Sequence, residues 1–229
     1  MLRLISSMAT RRLLAELAAQ WERDTGIDVT IESVGGVDAS RRVQAGEAFD
    51  GVVLASDAID KLRATGCAVS GSRVDLVQSS VAVAVKAGEP VPDISSEAAL
   101  RSAIKAAPSI GYSTGPSGVA LVKLFEKWAM AGELQNRVVQ APPGVPVGTL
   151  VARGEVALGF QQFSELMHLE GITVVGLLPE AVSITTVFSA ATCATSTQVD
   201  TLAKLFAFMT SNDAAAIQQK NGVRAAKIL

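Results

Sequence analysis

The sequence predicts an α/β protein of two lobes, each a mostly parallel sheet flanked by helices. Three observations carry this expectation. Short apolar runs alternate with amphipathic segments in the order βαβαβα over residues 2–64. The alternation resumes after a Gly/Pro break at residues 88–92. The 229-residue chain is 49% hydrophobic and only 18% charged, enough apolar material for two cores of about 100 residues each.

Taken in order, residues 2–5 are a short apolar strand. Residues 10–23 have helical periodicity, with Leu13, Leu14, Leu17, Ala18 and Trp21 on one face and Gly26 as the stop. Residues 28–33 alternate like a half-buried strand, Gly35 to Asp38 form a turn, and a helix runs to about Ala45. A buried strand at 51–55 and a helix at 56–64 complete the first set, and β–α–β order predicts parallel pairing with helices on both faces. A longer strand over 76–86 and a helix over 95–106, capped by Ser95 or Ser96, open the second set. Strands at 109–112, 138–140, 156–160 and 172–177 then alternate with helices at 119–130, 149–154 and 161–169. A long apolar strand at 185–194 and helices at 197–209 and 213–220 return to pack on the first lobe.

Composition excludes several classes. A net charge of −2 gives no electrostatic footprint for nucleic acid, so no nucleic-acid partner is expected. No apolar run reaches the ~20 residues that cross a bilayer. One histidine, His168, read as a surface residue on a helix, excludes a His-rich metal site, and no cofactor motif such as GxGxxG or GxxxxGK[ST] occurs, so neither metal nor cofactor is expected. Cys67 and Cys193 stand in no metal-binding or disulfide pattern and read as free thiols. Residues 1–8 hold no apolar signal-peptide core; the expected location is the periplasm if a leader has been removed and the cytoplasm if Met1 is the native start.

In open parallel sheets, ligands bind beyond the carboxyl ends of strands, where helix N-termini present free N–H groups. Five strand-to-helix turns qualify, and they supply the candidate ligand-binding residues Ser6, Ser7, Gly35, Gly36, Val37, Ser56, Ser113, Thr114, Ser117, Gly118 and Gln161. Any one of these serines could simply cap a helix. Arg11 and Arg12, and likewise Arg41 and Arg42, read as lying in the first turns of helices one and two, where cations oppose the dipole by a few tenths of a kcal/mol each. An anion at the same place reverses that sign, and the guanidinium fork suits a carboxylate, so Arg11 and Arg41 join the candidates.

The segments Ile-Ser-Ser-Met-Ala-Thr-Arg at 5–11, Glu-Ser-Val-Gly-Gly-Val-Asp at 32–38, Val-Gln-Ala-Gly-Glu at 43–47, Phe-Asp-Gly-Val-Val-Leu-Ala at 49–55 and Val-Ala-Arg-Gly-Glu-Val-Ala-Leu-Gly-Phe at 151–160 resemble the ModA-like branch of the type 2 periplasmic (solute) binding proteins. The resemblance implies two lobes, residues 1–79 plus 186–229 and residues 80–185, joined by two crossing strands around a ligand cleft. It implies capture of a small anion, a polycarboxylate or a molybdate-like oxyanion, by a monomeric receptor whose partner is an ABC importer permease. Ser6 or Ser7 matches the first donor turn of the molybdate binders. The paired serines of their second turn are replaced by Gly35, Gly36, Val37 and Asp38, and their late tyrosine by Phe160-Gln161-Gln162, which argues against molybdate itself. The branch also contains aconitate isomerase, so the alternative is a cofactor-free enzyme moving a proton across an allylic tricarboxylate. Tyr112, Asp38, Asp57 and Glu165 are the candidate proton carriers.

Overall fold

Strand β1 (Leu2–Ser7) leads through a 3₁₀ turn (Met8–Thr10) into helix α1 (Arg11–Thr25), followed by β2 (Val29–Val34), α2 (Gly36–Gln44), β3 (Gly51–Ala55) and α3 (Ser56–Ala64). A computed structural model describes these and all other elements over residues 1–226. Helix α1 buries Leu13, Leu14, Leu17, Ala18 and Trp21, the apolar face read from its periodicity. It ends where Gly26 takes a left-handed φ of 70° and donates its N–H to the Glu22 carbonyl. Strands β2 and β3 both pair parallel with β1, so that Ser6 lies opposite Ser33 on one side and Val53 on the other.

Strand β4 (Val74–Lys86) begins in one unit of the chain, Met1–Ser79 with the segment from Thr186 onward, and ends in the other, Ser80–Thr185. The second unit continues with α4 (Glu97–Ala106), β5 (Ile110–Tyr112), α5 (Pro116–Lys127), α6 (Ala131–Leu134), β6 (Val138–Gln140), α7 (Val147–Ala152), β7 (Leu158–Gln162), α8 (Phe163–Leu166) and β8 (Ile172–Leu177). Ser96 caps α4 by accepting the Ala99 N–H at 3.1 Å. Strand β5 pairs parallel with β6 and β7, while β7 and β8 run antiparallel to β4. Side chains alternate along β4: Val81, Val83 and Val85 join Leu100, Ile104, Phe125 and Phe160 in one core, and Ala82 and Ala84 face Leu166 on the other side.

Strand β9 (Thr185–Thr192), α9 (Val199–Met209), α10 (Ala215–Lys220) and β10 (Arg224–Ala225) close the described chain. Strand β9 runs antiparallel to β3, and β10 adds to the first half of β4, Arg224 opposite Gln78. Both faces of the first unit's sheet are covered. Leu2, Leu4, Val53 and Ala55 pack with Leu14, Leu17, Leu202 and Phe206, while the alternate residues Ile5, Val52 and Leu54 pack with Ala39, Val43, Ile59 and Leu62.

Some boundaries differ from those read in the sequence. Helix α2 begins at Gly36, inside the expected turn, because Gly35 takes the extended cap conformation and its carbonyl accepts the Ala39 N–H at 2.9 Å. Helix α5 begins at Pro116, whose fixed φ suits a first turn. Strand β7 runs through Gln162, since Gln161 and Gln162 pair with Ala82 and Val81, and exposed His168 therefore lies past the short α8 rather than on a helix. Helix α6 and strand β10, at four and two residues, are too short to show a period.

A charged cluster closes the edge of the first sheet. Arg42 donates to Glu47 at 2.7 Å and also bonds Glu32, Arg3 donates to Glu47 at 3.0 Å, and both guanidiniums sit over the Phe49 ring. The Arg42 guanidinium holds the Glu47 carboxyl down to about 2, from an ordinary 4.5. A carboxyl lowered on folding contributes stability that is present above its ordinary value and lost as pH falls through its folded value. Unfolding free energy is therefore expected to drop between pH 4.5 and about 2, and Glu47→Gln to make that drop shallower. Urea denaturation at a series of acid pH values checks this; an unchanged slope contradicts it.

Candidate functional site

The carboxyl ends of β1, β2 and β3 gather one set of candidates. Ser6 is fully buried; its Oγ lies 2.8 Å from the Ser33 Oγ and donates to the Ser7 carbonyl at 3.3 Å. Thr10, also buried, donates its hydroxyl to the same Ser7 carbonyl at 3.2 Å and holds the turn. Ser7 is only 8% exposed, and its buried Oγ has no hydrogen-bond partner among the described residues. The start of α2 lies beside it, since a Cβ built on Gly36 would stand 3.7 Å from the Ser7 Cβ. Gly35, Gly36 and Val37 are the cap and first turn of that helix, with no side chain capping it. Their free N–H groups carry the positive end of the helix dipole. Ser56, half-buried, opens α3 directly after β3. A buried hydroxyl without a partner costs about 1–3 kcal/mol, a cost removed when an anion accepts its proton.

The four arginines separate. Arg11 and Arg12 are the first two residues of α1 and are exposed, as the sequence suggests. Arg41 and Arg42 are not at the start of α2. The helix spans Gly36–Gln44, which puts both in its last turn, where a cation favours the dipole. Arg41, 77% exposed, is paired with Asp38, and Arg42 with Glu32 and Glu47. The expectation that Arg41 opposes its helix dipole is thus corrected, which removes the reason for setting it against a ligand, and Asp38 is engaged in a surface ion pair.

In the second unit, Tyr112 ends β5 and packs half-buried against the apolar core. Half-buried Ser113 and buried Ser117 have their hydroxyls 3.1 Å apart across the turn that also holds Thr114. A Cβ on Gly118 would fall 1.8 Å from the Ser113 carbonyl oxygen, so this position must be glycine for the turn to close. Gln161 is buried within β7 rather than at a helix start. Its Nε2 donates to Glu165 Oε1 at 2.8 Å and its Oε1 accepts the Gly148 N–H, in the first turn of α7, at 3.2 Å. Oε1 and one Nε2 hydrogen are engaged inside the unit, so Gln161 supports Glu165, and its place within β7 rather than at a helix start is a second correction. Burial pushes the Glu165 carboxyl up to about 7, against the opposing pull of the Gln161 hydrogen bond.

Among the described residues no three His, Cys, Asp or Glu side chains group as a metal site, and Cys67 and Cys193 are free thiols. No helix of the described residues is long and apolar enough to cross a membrane.

Comparison with known proteins places these features in a family. Residues 2–224 match the bacterial extracellular solute-binding proteins. An aconitate isomerase of Pseudomonas sp is 35% identical, the match covering 97% of this chain and 87% of that protein. The chain belongs to the bacterial extracellular solute-binding protein family. Among solved structures, the periplasmic molybdate-binding protein of Azotobacter vinelandii superposes with a TM-score of 0.81 at 20% identity, covering 99% of this chain and all of that one. The tungstate ABC transporter protein of Geobacter sulfurreducens superposes with a TM-score of 0.75 at 18% identity over 96% and 97% of the two chains. The α/β fold of this solute-binding protein is that of the two-lobed periplasmic binding proteins.

Two partners of the candidate residues, one in each unit of this solute-binding protein, have no place in the sequence pattern read above. Ser33 is legible in retrospect, as the parallel register partner of Ser6. Gly148 carries no local signal, because only the fold brings its N–H to Gln161.

Two outcomes follow for this pair of turns. A carboxyl raised on folding contributes stability below its ordinary 4.5 that is lost as pH rises through about 7. Glu165→Gln is expected to be more stable than the wild type at pH 8 by about 2 kcal/mol, allowing for solvent screening, and near-neutral at pH 4. Gly118→Ala is expected to cost about 3 kcal/mol through overpacking of the Ser113 carbonyl. Urea denaturation at both pH values measures both; equal midpoints for Gly118→Ala and wild type would refute the second.

Proposed function

We propose that this protein captures a small carboxylate anion as the receptor of an ABC importer, outside the cytoplasm and as a monomer. The observation that carries the reading is the buried, unpartnered Ser7 hydroxyl beside the N-terminal turn of α2. An anion seated there accepts hydrogen bonds from the Ser7 hydroxyl and from the N–H groups of Gly36 and Val37, and it removes the cost of the orphaned hydroxyl. Neutral donors of this kind bind an anion without first breaking an ion pair. The extracellular description of the family supports the location, and the ABC transporter among its fold relatives supports the partner. The name of the 35% identical relative supports a carboxylate over molybdate, since aconitate is a tricarboxylate, whereas the molybdate and tungstate proteins share the fold at 20% and 18% identity.

A second reading is a cofactor-free isomerase of aconitate or a similar polycarboxylate. Two observations favour it, the whole-length match to an aconitate isomerase and a Glu165 carboxyl near 7. An allylic isomerisation removes a proton from one carbon and returns one to the far end of the double bond. A carboxyl half-protonated at neutral pH can serve in both directions.

Thermal shift with molybdate, tungstate, sulfate, citrate and the two aconitates separates the ligands. Citrate and the aconitates are expected to raise Tm, and Ser7→Ala to weaken them about tenfold, the loss of one charge-assisted hydrogen bond. A shift with molybdate alone contradicts the carboxylate reading. NMR of the aconitates in deuterated water decides between receptor and enzyme. Deuterium uptake that disappears in Glu165→Gln is the enzyme's signature, and its absence leaves the receptor.

A further inference from the structure

We infer that Arg11 is the specificity-determining residue of this site, engaging a second carboxylate on a ligand whose first is held at Ser7 and the start of α2. This rests on the carboxylate reading above and goes beyond it, by stating how the protein tells a polycarboxylate from a single small anion.

Two of the four arginines singled out by the sequence are committed to ion pairs. Arg41 pairs with Asp38, and Arg42 bridges Glu32 and Glu47; Arg12 stands one turn before Glu16, a carboxylate already bonded by Lys220 at 2.8 Å. Arg11 makes no side-chain hydrogen bond or ion pair among the described residues. Its position is also the least favourable of the four. It is the first residue of a 15-residue helix with no acidic side chain in the first turn and no side-chain cap. A cation there is opposed by the helix dipole unless an anion lies close by.

Placement makes the connection. Ser7 and Arg11 are joined by one 3₁₀ turn whose shape is pinned twice, by the Thr10 hydroxyl on the Ser7 carbonyl at 3.2 Å and by the Arg11 N–H on the Met8 carbonyl. The unpartnered buried hydroxyl and the unpaired guanidinium therefore belong to the same turn. The start of α2 lies against Ser7. A compact oxyanion is served by the hydroxyl and the α2 N–H groups alone. A ligand with a second carboxylate places further charge outside that seat, and the planar guanidinium fork matches a carboxylate in two parallel hydrogen bonds, which an ammonium cannot reproduce.

Isothermal titration tests this with tricarballylate, a saturated tricarboxylate that cannot isomerise, and with propionate, a monocarboxylate. Wild type is expected to bind tricarballylate at least tenfold more tightly than propionate. Arg11→Ala is expected to lose at least tenfold toward tricarballylate and less than twofold toward propionate, and Arg11→Lys to recover only part of the loss. Arg12→Ala, one residue along the same helix, is expected to match wild type. All these side chains are exposed, and circular dichroism confirms the folded state of each variant. Arg11→Ala binding tricarballylate within twofold of wild type, or losing both ligands equally, overturns the assignment alone. Unsubstituted protein that binds neither carboxylate overturns the carboxylate reading and Arg11 with it.

Discussion

Parallel pairing of β1 with both β2 and β3 is the constraint on which the rest of the first unit depends. Parallel strands cannot be joined by a tight turn, so each is followed by a helix that crosses back over the sheet. All three strands then end at one edge, and the helices begin there. The register sets Ser6 beside Ser33 and Val53, and it brings Ser7, the start of α2 and the start of α3 into one neighbourhood. Had β2 run antiparallel to β1, Gly36 would begin its helix at the opposite edge and Ser7 would face no helix dipole.

The same edge shows how a chain with few charges would hold the anion proposed for it. Most of its arginines balance carboxylates already present. Arg3, Arg42, Glu32 and Glu47 form one such group around Phe49, and Arg73 ties Asp60 to Asp75, which in turn accepts the buried Ser189 hydroxyl at 2.6 Å. These clusters join strand ends and loops across the first unit. At this edge the turn at the start of α2 presents neutral dipoles, and Arg11, at the start of α1, has no side-chain counter-charge among the described residues.

The second unit uses its polar groups differently. Ser113 and Ser117 satisfy one another, and Gln161 spans from the α7 N–H to the Glu165 carboxyl. The amide fixes the orientation of that carboxyl, and burial keeps a proton on it to near-neutral pH. A fixed, protonatable carboxyl is of use to an enzyme, and it is tolerated in a receptor only as long as the surrounding packing outweighs its cost.

The alternation of apolar residues determined by itself that this is an α/β chain with its first three strands parallel, because period 2 and period 3.6 patterns need no tertiary contact to be recognised. Leu13, Leu14, Leu17 and Trp21 are buried as their spacing implies, Gly26 ends its helix, and the hydroxyl-rich turns stand at strand ends. Where a helix begins was less legible, because caps depend on local backbone geometry: α2 starts at Gly36, capped by Gly35, rather than after Asp38, and that shift of a turn moves Arg41 and Arg42 from the unfavourable end of a dipole to the favourable one. Only the tertiary structure decided which polar side chains remain unspent. Ser6 and Ser7 are neighbours in sequence, yet alternation along β1 gives Ser6 a hydroxyl partner on β2 and leaves Ser7 with none. Gln161 and Gly148 meet only because β7 and α7 pack together. Hydrogen bonds between residues far apart in sequence are set by register and packing, and these leave no mark on the local pattern.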